Sequence, residues 1–401
     1  MEKRKNNSTY IPILIIFALV PQMLKFNGSL IDTAWKLILM FGILFFCYNA
    51  CVKERVFRVR GTEFVYLSLF CAVSILSAFL SEGSLVSDVE AMLFQVIMFF
   101  IFYQTTSWQD YNTSDIYRFF SLIVNFMMIA CVYNLIFNFS SFIHLTDNNL
   151  YDTATGVSSV FDNKNAFGLF LTYGIIGAMG LKMTTKEKKW NFYVIFFMLN
   201  ALVALCRTAI VVSALVIACC ILLDSKKIFR NIIILVAIIG ICLLIINFVP
   251  AIHDFVVRNS ESTSSVDSRV DQWESLLPLV KGEHAVFGYG PSFSKILTKM
   301  YSAKSYFHST YLYIILCYGW LGVLCFSIIV IDALKRSIRI LRMKYSYGVV
   351  CLASVFAYLV FSLSEKYMLF DTPVVSMTVT AFTISIPLMV EKAIKKEIRE
   401  K

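Results

Sequence analysis

Apolar runs long enough to cross a bilayer follow one another along almost the whole chain, and they limit its fold more than any motif does. Runs of roughly spanning length lie near 10–24, 34–52, 63–80, 89–104, 119–140, 165–182, 191–206, 208–223, 230–250, 306–331, 347–365 and 373–390, which makes twelve. With 58% hydrophobic and 15% aromatic residues and a mean hydropathy of +0.73, a soluble domain is excluded. The expected fold is an all-α polytopic membrane protein of about 12 transmembrane helices. The first run follows Lys3, Arg4 and Lys5 as a signal peptide would. It lacks a small-residue cleavage site and runs into Pro21, Gln22 and Lys25, so it reads as a retained helix.

Basic residues orient these spans. With the amino terminus in the cytoplasm, 25 of the 36 Lys and Arg fall on the cytoplasmic side, 10 fall outside and Lys36 lies within the second span. Six of the outer ones belong to a single long loop, and long loops count little. Both termini are therefore expected in the cytoplasm. The basic clusters Lys53 to Arg60, Lys182 to Lys189, Lys335 to Lys344 and Lys392 to Lys401 flank membrane segments and suit anionic head groups, so the net charge of +10 implies no nucleic acid.

Four regions follow: amino-terminal helices over 1–150, helices carrying the informative motifs over 151–250, an extracytoplasmic loop with short helices over 251–305, and carboxy-terminal helices over 306–401. The eleven cysteines lie in or beside expected helices, with no disulfide framework and no CxxC metal spacing. No internal repeat is visible. Only the second half has a long external loop, which argues against an inverted-repeat transporter.

Chemistry collects at the expected outer face. Arg207, in Ala-Leu-Cys-Arg-Thr-Ala-Ile-Val, stands between two apolar runs with no hydrophilic loop to carry it. An ionisable group there costs on the order of 3 kcal/mol, so it faces a cavity or a partner, and an anion at a helix start suits it; the other reading is snorkelling to head groups. Asn163 and Asn165 precede the sixth span, where such residues cap helices or point amides at a ligand. Gly174, Gly177 and Gly180 recur at a spacing of three and allow another helix close approach. In the loop, a Ser-rich linker over 259–268 leads to Arg269 and Trp273, which share a helical face. Gly288 and Gly290 in Phe-Gly-Tyr-Gly-Pro form a tight turn without a nucleotide-binding pattern. His308 and Tyr311 lie one turn apart at the start of the tenth span, and histidine suits proton transfer near neutral pH, though alone it is as well a cap. Glu365 and Lys366 read as a solvated helix end rather than as cavity lining.

In order, Cys206-Arg207-Thr208-Ala209, Ser268-Arg269 to Trp273, Gly288-Tyr-Gly290 and His308-Ser-Thr-Tyr311-Leu312 resemble the O-antigen ligase and O-antigen polymerase superfamily of bacterial envelope glycan assembly. The likeness spans about residues 155–330. It implies a glycosyltransferase of GT-C-like architecture in the bacterial cytoplasmic membrane. The donor would be a glycan on undecaprenyl diphosphate, and a flippase and a chain-length regulator would be partners. Carried to these positions, Arg207 and Arg269 would hold the diphosphate and His308 would be the base. Trp273 and Tyr311 would shape the pocket, with Asn163, Asn165, Gly288 and Gly290 as further substrate contacts. No metal or other cofactor is expected. Repeat-unit polymerase is the favoured activity, because polymerases are numerous in the superfamily; ligation of a finished glycan to lipid A core, and a transporter or lipid-linked glycan flippase, are the alternatives.

Overall fold

The computed structural model describes residues 10–19, 61–143, 157–223, 233, 267–302, 306–371 and 373–400, and among them every regular element is helical. Apart from the short helical turns Phe139–Ile143 and Leu277–Leu279, in chain order these are α1 (Tyr10–Ala18), α2 (Gly61–Leu80), α3 (Leu85–Phe99, running on through a π turn to Trp108) and α4 (Thr113–Phe137). Then follow α5 (Lys164–Thr185), α6 (Lys189–Val203) and α7 (Arg207–Leu223). The short helices α8 (Asp267–Leu276), α9 (Glu283–Phe287) and α10 (Gly290–Tyr301) precede α11 (Thr310–Arg342), α12 (Tyr347–Ser364) and α13 (Val374–Glu400, with its own π turn).

Seven of these helices are long and apolar enough to cross a membrane, and α6 and α7 are shorter apolar helices. Together they match nine of the twelve expected spans. The first expected span is described only as α1, and the second and ninth, 34–52 and 230–250, lie outside the described residues apart from residue 233.

Helix α5 is the hub, enclosed along 94% of its apolar window and packed against α4, α6, α7 and α12. In lipid, helices gain little by hiding apolar surface from one another, so close van der Waals fit has to hold them. The glycine stripe supplies that fit: a Cβ at Gly177 would lie 2.9 Å from Val124 Cγ2, and one at Gly180 would lie 2.9 Å from Phe120 Cε2. At the upper end of the same helix, a Cβ at Gly168 would meet Cys206 Sγ at 2.7 Å. The start of α7 is thereby held against the start of α5.

Helix α11 is broken at Gly319, whose φ of 61° no ordinary residue adopts at low cost. About 14 Å from its start, the break frees carbonyls that lipid could not satisfy. Tyr289 N–H donates to Leu316 O at 2.7 Å, and Ser77 Oγ donates to Cys317 O at 2.6 Å. The turn between α9 and α10 is thus seated in the helix break, at a depth where irregular backbone has to be enclosed by protein.

The end of the bundle away from these starts is joined by charge. Glu391 on α13 is 3% exposed and accepts from Arg336 and Arg339 of α11 and from Lys395.

Candidate functional site

Four helix ends converge at the opposite end. Asn163 caps α5, its Oδ1 accepting from Ala166 N–H at 2.8 Å. That leaves Asn165, on the first turn, to face neighbours. Its Nδ2 donates to Glu365 Oε1 at 2.8 Å and its Oδ1 receives the Cys206 thiol at 3.6 Å. Cys206 in turn starts α7, accepting Ile210 N–H on its carbonyl at 3.1 Å, so Arg207 is the first helical residue beyond it and half-buried.

Arg269 reaches in from α8. Its Nη2 donates to Glu365 Oε1 at 3.0 Å, with 25% of the arginine side chain and 12% of the glutamate side chain exposed. Its Nε is enclosed and has no hydrogen-bond partner among the described residues. Expected as a solvated helix end, Glu365 is instead the acidic centre of the cluster, because the residues after α12 fold inward beneath α8. Burial pushes its carboxyl up to about 7, against the lowering effect of the Arg269 charge and hydrogen bond.

The start of α11 is fixed by the same elements. Ser309 caps it, accepting from Leu312 N–H and donating to Ser362 O. Thr310 Oγ1 donates to Glu365 O at 2.9 Å and accepts from Tyr367 N–H at 2.8 Å. His308, 9% exposed, gives its backbone N–H to Gln272 Oε1 at 2.9 Å, and its ring lies 4.6 Å from that of Tyr306. Gln272 is 1% exposed and also donates from Nε2 to Ser302 Oγ and Tyr306 O. One side chain therefore ties α8, which carries Arg269, to the turn that carries His308. Nothing in the sequence pattern singles out Gln272. Its partners lie 30 to 36 residues away.

The remaining expected contacts divide. Trp273 is half-buried, one turn beyond Arg269 on α8. Tyr311 spends its hydroxyl on Leu359 O at 2.9 Å, which makes it a tether between α11 and α12. Gly288 and Gly290 serve packing: a Cβ at Gly288 would lie 2.4 Å from the Cys317 carbonyl carbon, and one at Gly290 would lie 2.6 Å from Asp88 Oδ2. Asp88 caps α10 there, accepting from Ser292 N–H at 2.6 Å and Ser292 Oγ at 2.9 Å. Lys366 Nζ stands 4.0 Å over the Tyr313 ring.

Among the described residues a guanidinium, a carboxylate and an amide are hydrogen-bonded together where four helix ends converge, and the His308 backbone is tied to the helix that carries the guanidinium. Residues 192–327 match the family model described as O-antigen ligase, which bears out the resemblance read from the motifs. The matched stretch contains Arg207, Arg269, Trp273, His308 and Tyr311; Asn165 and Glu365 lie outside it. No curated protein matches the chain.

Proposed function

We propose that the protein is a membrane glycosyltransferase that lengthens an envelope polysaccharide, moving a glycan from its undecaprenyl diphosphate carrier to the hydroxyl of a lipid-linked repeat unit on the outer face of a bacterial cytoplasmic membrane. The observation that carries this reading is the hydrogen-bonded cluster of Arg269, Asn165 and Glu365, with Arg207 next in sequence to Cys206, which binds Asn165, and His308 bound through its own backbone to Gln272 on α8. A guanidinium fork suits a diphosphate because two parallel N–H donors meet two phosphate oxygens. The transition state carries growing charge on the departing diphosphate, where a fixed cation helps most.

In the proposed step the acceptor oxygen attacks the anomeric carbon of the donor glycan and the bond from that carbon to the phosphate oxygen breaks. The diphosphate leaves with the bonding electrons, held by Arg207 and Arg269. The hydroxyl proton passes to the His308 ring. Gln272, by gripping the His308 backbone, sets that ring relative to α8.

The test is complementation of a deletion strain with wild type, Arg207→Ala, Arg269→Ala and His308→Ala at matched membrane levels, with surface and lipid-linked glycans separated by size. Single repeat units on the normal acceptor are expected for each variant. Long chains stranded on the lipid carrier would instead make the protein a ligase. Unchanged glycan profiles would overturn the catalytic assignment. Glycan still translocated but not lengthened by His308→Ala would rule out a flippase.

A further inference from the structure

Arg269, the arginine best placed to hold a phosphate, already holds an anion. Glu365 Oε1 lies 3.0 Å from its Nη2, and Asn165 Nδ2 donates to the same oxygen at 2.8 Å. The carboxylate side chain is only 12% exposed, and Arg269 Nε beside it is an enclosed donor with no hydrogen-bond partner among the described residues. A guanidinium has five donors in a planar fork, and carboxylate and phosphate fit that fork in the same way. The fork of Arg269 therefore keeps a donor that a further anionic oxygen would satisfy, yet a diphosphate arriving beside an ionised Glu365 would meet like charge in an enclosed place.

We propose that Glu365 is a resident anion occupying the phosphate seat of Arg269 in the empty protein, and that a diphosphate binds there as Glu365 takes up one proton from solvent. This rests on the reading of Arg269 as a diphosphate-holding residue. Glu365 is a positioning residue: ionised, it holds the guanidinium aimed between α5 and α12; neutral, it keeps the Asn165 amide on its carbonyl oxygen and turns an O–H donor toward the bound phosphate. When the diphosphate leaves, the proton returns to solvent and the seat closes.

Burial puts the Glu365 carboxyl at about 7, where the exchange needs little driving force. The charged and titratable groups about it are Arg269 on α8, Lys164 and Cys206 at the starts of α5 and α7, and Lys366 and Tyr367 on its own segment. Arg207 adjoins Cys206, and His308 lies two residues before Thr310, which binds the Glu365 carbonyl. Of these, His308 is the other side chain of a type that titrates near neutrality.

The deciding experiment measures binding of a short prenyl diphosphate, esterified at its far phosphate with a simple alkyl group, to the full chain in detergent from pH 6 to 9. Such a diester keeps one charge on each phosphate throughout, so any slope belongs to the protein. Wild type should lose roughly 15-fold in affinity between pH 7 and pH 8.5, the slope of one proton, and calorimetry in two buffers at pH 8 should show uptake of about one proton per ligand. Glu365→Gln should bind at pH 8.5 as tightly as wild type does at pH 6, with no slope and no uptake. His308→Gln should keep the slope. A flat wild-type profile, a slope retained in Glu365→Gln, or a slope lost in His308→Gln would each overturn the proposal. If Glu365→Gln fails to reach the membrane, wild-type proton uptake and the His308→Gln slope still decide. Arg269→Ala separates the two readings: unchanged binding would remove the diphosphate seat itself, whereas lost binding beside a slope retained in Glu365→Gln would remove only the proton exchange.

Discussion

Arg269 pairs with Glu365 through Nη2, so its value to a ligand lies in the donors that remain. Lysine would keep the charge and lose the fork. Arg269→Lys should therefore raise donor KM by about tenfold while kcat falls less, whereas Arg269→Ala should lower kcat/KM by a hundredfold or more; steady-state kinetics on lipid-linked donor separate them. Gln272 offers a different kind of prediction. Leucine in its place fills the volume but leaves the buried His308 N–H unsatisfied, at about 1–3 kcal/mol. Gln272→Leu is expected to fold, bind donor normally and lose kcat. Equal loss of donor affinity would mean that Gln272 merely supports α8. Glu365 also carries a stability consequence. Its carboxyl is raised from the usual 4.5 to about 7, so between those values the folded protein holds a proton that the unfolded chain has released. Stability then falls as pH rises from about 4.5 to 7 and is level above, by at most on the order of 3 kcal/mol. Thermal unfolding of wild type should come at higher temperature at pH 5.5 than at 7.5, and Glu365→Gln should shrink that difference. Arg207 stands out in the sequence because charge between apolar runs is rare and needs a reason, whereas Arg269 and His308 stand out through the order of motifs that carries the family resemblance. Glu365 is not: a Glu-Lys pair after a span has the composition of a solvated helix end, and only the inward fold of residues 365–371 shows otherwise.

At the scale of elements, the glycine stripe on α5 is readable from spacing, and Phe120, Val124, Met127 and Phe197 fill it. The break in α11 is hidden, because Leu-Cys-Tyr-Gly-Trp-Leu within an apolar run has the pattern of an uninterrupted helix. Its counterpart was visible only as half of a fit: the Gly288-Tyr-Gly290 turn announces a close approach, but what it approaches is the Gly319 break rather than a substrate. A Cβ on Gly319 would lie 2.3 Å from Val286 O, and one on Gly288 would lie 2.4 Å from Tyr318 N, with φ at +61° and +75°. Backbone cannot yield as a side-chain tip can. Gly288→Ala and Gly319→Ala should each abolish stable membrane expression, while Gly282→Ala, with φ of +61° but nothing within 4 Å, should cost only its backbone strain, on the order of 1–3 kcal/mol, and keep measurable expression. Equal expression of all three variants in a membrane fraction would show that the loop is not seated in the helix. Through this seat α9 and α10 are anchored to the middle of α11, whose first turn carries the site.

Across the whole molecule, the two ends of the bundle differ in kind. The starts of α5, α7 and α11 and the end of α12 hold the mixed cluster around Glu365. The other end carries Lys186, Lys188 and Lys189 between α5 and α6, Arg336, Arg339, Arg342 and Lys344 at the end of α11, and Lys392, Lys395, Lys396 and Arg399 on α13. The bias of basic residues toward one side is what sets orientation during insertion, so the basic end should face the cytoplasm and the Glu365 cluster the outside, where a translocated lipid-linked glycan would be met. Single cysteines at two exposed positions test this. In intact cells a membrane-impermeant maleimide should label Glu283→Cys above the wild-type background, and should label Glu187→Cys only after the membrane is permeabilised. The reverse pattern would put the cluster in the cytoplasm, where nucleotide sugars rather than lipid-linked repeat units are the plentiful donors, and the transfer proposed for Arg207, Arg269 and His308 would lose its substrate.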